Sequence, residues 1–308
     1  MISILMASYN GASYIAAQIE SVLGQTCRDF TLYICDDCSD DGTWEIVQSY
    51  AQSHPGQVVA LQNRQNSGSA KHNFFQMMLA YRDDYVMLCD QDDVWLPEKV
   101  EVTLAAMQKA EAAHHCETPI LVHTDLTVVD GALHVLDRSY RHAVNGNWQR
   151  TALHYELAQN TVTGCTVMYN RALGDLIREE PSFFVMHDWW LALAASALGR
   201  IVLLDRATML YRQHGDNSVG AKFVRSPRYL LRRLLDVEGY QKELAETFLQ
   251  SESFYNMFRD RLSSGQQKLT VGYGRLSETG WLGRRLFQLR NRTVKYGATK
   301  KIAGFLFG

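Results

Sequence analysis

Asp90-Gln91-Asp92-Asp93 places three carboxylates within four residues, directly after the apolar run Tyr85-Val86-Met87-Leu88-Cys89. Carboxylates crowded in this way repel one another and hold their protons more tightly. A bound divalent cation relieves that repulsion. Mg²⁺ or Mn²⁺ suits carboxylate oxygens and usually binds through one or two of them plus substrate phosphates. If the strand continues, Asp90 and Asp92 share one side of it. A solvated turn, with Asp93 capping a helix after Pro97, would use the same residues without any ion.

A second acidic cluster comes earlier, in Tyr33-Ile34-Cys35-Asp36-Asp37-Cys38-Ser39-Asp40-Asp41-Gly42-Thr43. A carboxylate at the end of this run could accept a hydrogen bond from a pyrimidine N–H. Asp41-Gly42 also reads as a turn, with Asp40 or Asp41 capping the helix at Thr43-Trp44. Further on, Phe184-Val185-Met186-His187-Asp188-Trp189-Trp190 sets one acid at the start of an apolar helix. Asp188 is either an N-cap or a carboxylate held ionised by the helix terminus, which is what a general base requires. Tyr211-Arg212-Gln213-His214-Gly215-Asp216-Asn217 puts His214 among polar neighbours, which suits anionic phosphates or a metal.

The elements that must carry these groups alternate. Ile2 to Ala7 predicts a buried strand, and Ile15, Ile19, Val22 and Leu23 mark one face of a helix. Strands follow at Phe30 to Cys35, Val58 to Leu61 and Tyr85 to Cys89, with helices around Trp44 to Ala51 and Phe74 to Tyr81. This order predicts an α/β fold with a mainly parallel sheet flanked by helices. Ligands of such sheets bind beyond the carboxyl ends of the strands, where Ser8-Tyr9-Asn10, Asp36-Asp37 and the Asp90–Asp93 cluster fall. The middle section predicts strands at Ile120 to Leu126, Thr163 to Tyr169, Ile201 to Leu204 and Ala207 to Tyr211, and a helix at Asp188 to Leu198. After about residue 222 the pattern turns to arginine-rich helices. The expected division is 1–220 for the α/β domain and 221–308 for a basic helical extension.

The 308 residues are 46% hydrophobic and 21% charged, with a formal net charge of -2. That is ordinary for a globular chain and excludes bulk attraction to nucleic acid. The apolar start is too short for a signal core, and no apolar run reaches the roughly 18 residues of a membrane span. Cys35 and Cys38 form a C-x-x-C without a second pair, so the six cysteines read as reduced thiols, mostly buried.

Taken in order, Ala7-Ser8-Tyr9-Asn10, Asp36-Asp37-Cys38-Ser39-Asp40-Asp41-Gly42-Thr43 and Asp90-Gln91-Asp92-Asp93-Val94-Trp95 resemble the family-2 inverting glycosyltransferases over about residues 1 to 220. Cys38 departs from the Gly or Asn common there. Asp-Gln-Asp-Asp-x-Trp with Tyr-Arg-Gln-His-Gly-x-Asn looks like the rhamnosyltransferase-type subgroup, similar to enzymes that build bacterial surface polysaccharides from dTDP-L-rhamnose. The resemblance implies a GT-A nucleotide-diphospho-sugar transferase fold and a Mn²⁺ or Mg²⁺ cofactor. It implies donor contacts from Ser8, Tyr9, Asn10, Asp36, Asp37, Asn66, Lys71, Asp90, Gln91 and Arg212. Asp92 and His214 would hold the metal, with Asp93 supporting Asp92. Asp188 would be the base, and Gly164, Trp189 and Trp190 would shape the acceptor side. The implied partners are a dTDP- or UDP-sugar and a saccharide or lipid-linked saccharide. A UDP-hexose or HexNAc transferase, a sugar nucleotidyltransferase and a non-catalytic nucleotide-sugar binder are the alternatives. Ser8 to Ser13 lacks the glycine cluster and the basic residue that nucleotidyltransferases usually carry after the first strand.

The stretch Lys222 to Leu235 mixes cations with apolar residues. From Trp281 onward Arg284, Arg285, Arg290, Arg292, Lys295, Lys300 and Lys301 occur with no Asp or Glu. Basic amphipathic segments suit an anionic membrane surface. The expected location is therefore cytoplasmic, peripheral on the inner membrane. Packing on the core or a homodimer contact is the other use of such helices.

Overall fold

A computed structural model describes residues 1–144, 146–213 and 236–297. By internal contacts the chain forms two compact units. The first holds Met1–Tyr140, Thr163–Glu180 and the described residues of Ile201–Gly220. The second holds Arg141–Val162, Pro181–Arg200 and the helices after residue 235.

The first unit begins with β1 (Ile2–Ser8), α1 (Ile15–Leu23), β2 (Phe30–Asp36), α2 (Thr43–Ser53), β3 (Val58–Gln62), α3 (Ala70–Ala80) and β4 (Tyr85–Asp90). The short β5 (Val94–Trp95), α4 (Lys99–His114), β6 (Ile120–Val129) and β7 (Val135–Asp137) follow. The chain then passes through the one-turn helices α5 (Tyr140–Ala143) and α6 (Leu153–Glu156). It continues with β8 (Val167–Asn170), α7 (Arg171–Gly174), α8 (His187–Leu198) and β9 (Arg200–Arg212). The sheet order is β3-β2-β1-β4-β8-β6-β9-β5, with β7 on β6. β1 pairs in parallel with β2 and β4, and β2 with β3. β8 is antiparallel to β4 and β6, and β5 to β9. The sheet is thus mixed, parallel where the βα units lie and antiparallel beyond them.

Every residue of β1 is buried, as expected of a central strand covered on both faces. α1 has no side-chain N-cap, and its stability comes from burying Ile15, Ile19, Val22 and Leu23. Full burial of such side chains is worth roughly 1.5–3 kcal/mol each. Buried Gln18 and Gln25 lie on or just after the same helix. Gln18 Nε2 donates to Cys89 Sγ (2.9 Å), Gln25 Nε2 to Leu96 O (2.8 Å), and Trp95 N to Ser21 Oγ (3.0 Å). These bonds tie α1 and the residue after it to the chain on either side of the Asp90–Asp93 turn.

Two strand expectations are corrected. Thr163 to Tyr169 is not one strand: Gly164–Thr166 is a 3₁₀ turn in which Thr166 N and Oγ1 donate to Thr163 O, and β8 starts at Val167. The two short strands expected between Ile201 and Tyr211 are one strand, β9, because Asp205 and Arg206 lie exposed on it without breaking it. Cys116 is exposed rather than buried, while Cys35, Cys89 and Cys165 are buried free thiols.

In the second unit α9 (Val237–Phe258), α10 (Ser264–Gly274) and α11 (Trp281–Asn291) follow one another. Trp190 of α8 is fully buried and packs its ring edge-on against Phe254 (5.5 Å), with Phe258 at 6.1 Å. A capping box between Ser263 and Gln266 starts α10, and Gln266 Nε2 donates to Ala197 O (2.6 Å). Among the described residues no helix is long and apolar enough to cross a membrane.

Candidate functional site

The strand order places β1 between β2 and β4, so the βα connections diverge at the carboxyl ends of β1 and β4. Such a switch point is where open α/β sheets bind ligands. Gln91 spans it: Tyr9 N donates to Gln91 Oε1 (3.0 Å) and Gln91 Nε2 donates to Tyr9 O (2.8 Å). Gly11 makes room for this amide, since a Cβ there would lie 2.1 Å from Gln91 Oε1.

The loops after β1 and β2 are bonded to each other. Asn10 N donates to Ser39 Oγ (2.9 Å), Asp40 N to Asn10 Oδ1 (3.0 Å) and Ala12 N to Asp41 Oδ2 (3.0 Å). Asp41 Oδ1 also accepts from Thr43 N at the start of α2 (3.0 Å), but the N-cap of α2 is Gly42, so the expected cap at Asp40 or Asp41 is corrected. Gly42 sits at φ 95°, a region that favours glycine.

Asp36 and Asp37 are both buried, and both carboxylates are engaged within the chain. Asp36 accepts from Ser39 N (3.0 Å), Ser39 Oγ (2.5 Å) and, at 3.3 Å, from Ser8 Oγ and Gln62 Nε2. Asp37 accepts from Asn63 Nδ2 (2.7 Å), Ser67 N (2.8 Å) and Ser67 Oγ (2.7 Å). Asn66 Nδ2 donates to Asp37 O (2.8 Å). Asn66 thus belongs to the framework that orders the β3–α3 loop around Asp37, while Tyr9 is half exposed (51%). Lys71 follows in the first turn of α3 and is partly exposed.

At the β4–β5 turn, ligand atoms of Asp90, Asp93 and Cys165 all lie within 4.8 Å of one another. Asp93 is completely buried and, among the described residues, its Oδ2 has no hydrogen-bond partner. Burial pushes its carboxyl well above the ordinary range, and the charges of Asp92 and Asp90 add to that. The Arg212 backbone N–H and the Cys165 thiol act in the opposite direction. An orphaned buried carboxylate oxygen beside a second carboxylate fits a divalent cation. Hard ions would take the carboxylate oxygens and leave the thiol as a neighbour. Asp92, expected as the ligand, is not in this close group, although it is its chain neighbour. Its carbonyl accepts from Arg212 Nε (2.8 Å).

Arg212 is buried and clamps this turn. Its N donates to Asp93 Oδ1 (3.1 Å) and its Nη1 to Gly131 O (2.6 Å), and its guanidinium lies 4.9 Å from the Tyr14 ring centre. His214 lies outside the described residues.

Two groups here escaped sequence reading. Cys165 reads in the sequence only as one of six reduced thiols. Lys99 carries no signal in the sequence, yet it is fully buried with Nζ donating to Thr208 Oγ1 (3.2 Å). Burial lowers it to about 8, opposed by the nearby Cys165, Cys89 and Asp93. Only the Pro97 before it hinted at a helix start.

The second unit holds Asp188 in the first turn of α8. The N-cap is Met186, so Asp188 is not the cap; its Oδ1 accepts from Trp189 N (2.7 Å). His187 beside it is buried and pushed down to about 3, hence neutral. Trp189 Nε1 donates to Glu156 O (2.7 Å), whereas Trp190 is wholly core. Glu156 is a further missed group. It is fully buried, Thr161 Oγ1 donates to its Oε1, and its Oε2 has no partner among the described residues.

Burial raises Glu156 from 4.5 to about 8; Thr161 hydrogen bonds oppose that, the Asp188 charge adds to it, and Arg150 opposes it. The folded chain therefore keeps a proton that the unfolded chain releases. Stability from this group is full below about pH 4.5 and is lost as pH rises to about 8. Glu156→Gln, which cannot ionise, is expected to be more stable than wild type at pH 8, by a few kcal/mol in order of magnitude, and so to melt at a higher temperature. The difference should shrink towards pH 5. Parallel melting curves across that range would show that Glu156 is not held as a neutral acid.

The sequence pattern described as Glycosyl transferase family 2 matches residues 3–171. The dTDP-rhamnosyl transferase RfbG of Shigella flexneri is 26% identical over 267 residues, covering 82% of this chain and 86% of its own length. The solved structure of S. aureus TarS residues 1–349 with UDP-GlcNAc superposes with a TM-score of 0.54 at 16% identity, covering 95% of this chain and 88% of that one. The mannosyltransferase PcManGT from Pyrobaculum calidifontis, with GDP-Man and Mn²⁺, gives 0.51 at 13% identity, covering 99% of this chain and 83% of the other. The fold is of the GT-A type.

Proposed function

The chain belongs to glycosyl transferase family 2, and from that premise we propose that it is a metal-dependent, inverting transferase of a sugar from a nucleoside diphosphate. The supporting observation is the acidic β4–β5 turn at the β1/β4 switch point, with a buried, orphaned Asp93 oxygen beside Asp90. The donor we infer is dTDP-L-rhamnose, on the likeness to RfbG, with a UDP-hexose or UDP-HexNAc as the second reading. The acceptor is a hydroxyl of a saccharide or lipid-linked saccharide in surface-polysaccharide synthesis.

Asp90, Asp92 and Asp93 would hold Mn²⁺ or Mg²⁺, with His214 from outside the described residues completing the set. Such an ion, when bound, supplies positive charge to the leaving diphosphate. Gln91 and Arg212 fix the backbone of the acidic turn. Asp36 and Asp37 order the loops that receive the base, and Ser8, Tyr9, Asn10, Asn66 and Lys71 complete that side. Asp188 takes the proton of the acceptor hydroxyl as that oxygen attacks, and a single displacement inverts the anomeric centre. Trp189 and Gly164 belong to the acceptor side. Trp190, packed in the core, would act there only by positioning α8. The basic C-terminal helices would hold the protein on the cytoplasmic face of the inner membrane, and the extension 221–308 is proposed to serve that purpose.

Incubation with Mn²⁺ and dTDP-L-rhamnose, UDP-glucose or UDP-GlcNAc tests this. Faster release of dTDP than of UDP, abolished by EDTA, is expected. Faster UDP release would select the second donor reading. Binding of all donors with no release, with or without acceptor, would make the chain a nucleotide-sugar binder.

A further inference from the structure

α11 is amphipathic in the reverse of the usual sense. Its inward positions are polar: Arg285 and Gln288 are buried, and Arg285 Nη1 donates to Gln288 Oε1. Leu282, Leu286 and Leu289, spaced i, i+4 and i+7, are 69%, 69% and 68% exposed. At 3.6 residues per turn these three form one stripe. Trp281, at 46% exposed, stands at the same end of the helix. An apolar stripe left in water while an arginine is buried beneath it is unfavourable unless something covers the stripe.

The charge around the helix selects the cover. Arg284, Arg290 and Arg292 lie on or next to α11, and no Asp or Glu occurs from Trp281 to the end of the sequence. An apolar stripe on a helix whose own charged residues are all cations matches a bilayer of anionic lipid, where leucines enter the acyl boundary and arginines stay with the phosphates. A second copy of the same helix would set arginine against arginine.

We propose that the Leu282–Leu286–Leu289 stripe of α11 is the face that inserts into anionic lipid. This deepens, and rests on, the membrane-surface reading above. The stripe and Asp188 belong to the same compact unit, so the unit that meets the lipid also carries the proposed base. That arrangement suits an acceptor whose lipid tail stays in the bilayer.

The full-length chain is tested by co-sedimentation with vesicles of phosphatidylcholine alone and of phosphatidylcholine with phosphatidylglycerol. Wild type is expected on the anionic vesicles only. The triple variant Leu282→Ser, Leu286→Ser, Leu289→Ser should lose at least about tenfold in partitioning. Its melting temperature and its stabilisation by dTDP should match wild type, because these side chains are exposed. Equal sedimentation of wild type and variant would overturn the role of the stripe and leave the membrane reading standing. No wild-type binding to either vesicle would overturn both. If a second copy covers the stripe, light scattering will show a wild-type dimer, a variant monomer and unchanged vesicle binding. If residues 298–308 cover it, the variant will melt lower and still bind vesicles. Either outcome overturns the proposal.

Discussion

Asp188→Asn is expected to lower kcat for transfer by roughly 10²–10⁴-fold, the usual contribution of a general base. Asn is isosteric, and its carbonyl oxygen can still accept from Trp189 N, the bond that Asp188 Oδ1 accepts at 2.7 Å. α8 should therefore start as before, since its N-cap is Met186 and not Asp188. What is lost is one negative charge and the ability to take a proton. The affinity for dTDP, followed by calorimetry, should stay within about twofold of wild type, because binding of the nucleotide is assigned to other groups. A fall in kcat matched by a similar fall in nucleotide affinity would make Asp188 a structural residue. Unchanged kcat would assign the base elsewhere.

Asp92→Ala is expected to remove the metal-dependent part of donor binding. Removing a partner outside the ligand shell commonly costs 10–100-fold in metal affinity, so loss of a direct ligand should cost at least about that. The clamp on the turn should survive, because Arg212 Nε bonds the Asp92 carbonyl and not its side chain. Wild type should bind dTDP more weakly when EDTA is added, and the variant should already be at that lower level and insensitive to EDTA. Asp90→Asn is the companion measurement. Asp90 lies in the close group with Asp93 and Cys165, and Asp92 does not. If Asp90→Asn abolishes the Mn²⁺ effect while Asp92→Ala retains it, the ion belongs with Asp90 and Asp93 alone.

Much of the first unit was legible in sequence because its strands are central and apolar while its chemistry sits in short polar runs at their ends. β1, β2 and β4 begin where the hydrophobic runs begin, and each extends one residue further to carry a polar group: Ser8, Asp36 and Asp90. Asp36 and Asp37 were legible as residues that matter, but their saturation by Ser8, Ser39, Asn63 and Ser67 was not. Those partners are set by the loops and not by spacing. Buried polar groups were the main loss. Lys99, Glu156 and Cys165 look like ordinary helix or strand residues in the chain, and only tertiary burial sets them apart. The reversed face of α11 was hidden for a related reason. A helical wheel reports that apolar and basic residues segregate, but not which side the rest of the chain covers. β9 looks like two strands in the sequence because a charged pair in an exposed stretch resembles a turn.

The central claim is that the acidic turn after β4 binds a divalent cation together with the donor diphosphate. The most direct measurement is the anomalous signal of Mn²⁺ in crystals grown with dTDP. A single strong peak within bonding distance of carboxylates in the Asp90–Asp93 turn, touching the diphosphate, is the expected result. A bound dTDP with no Mn²⁺ at that turn, or with the ion held elsewhere, would contradict it.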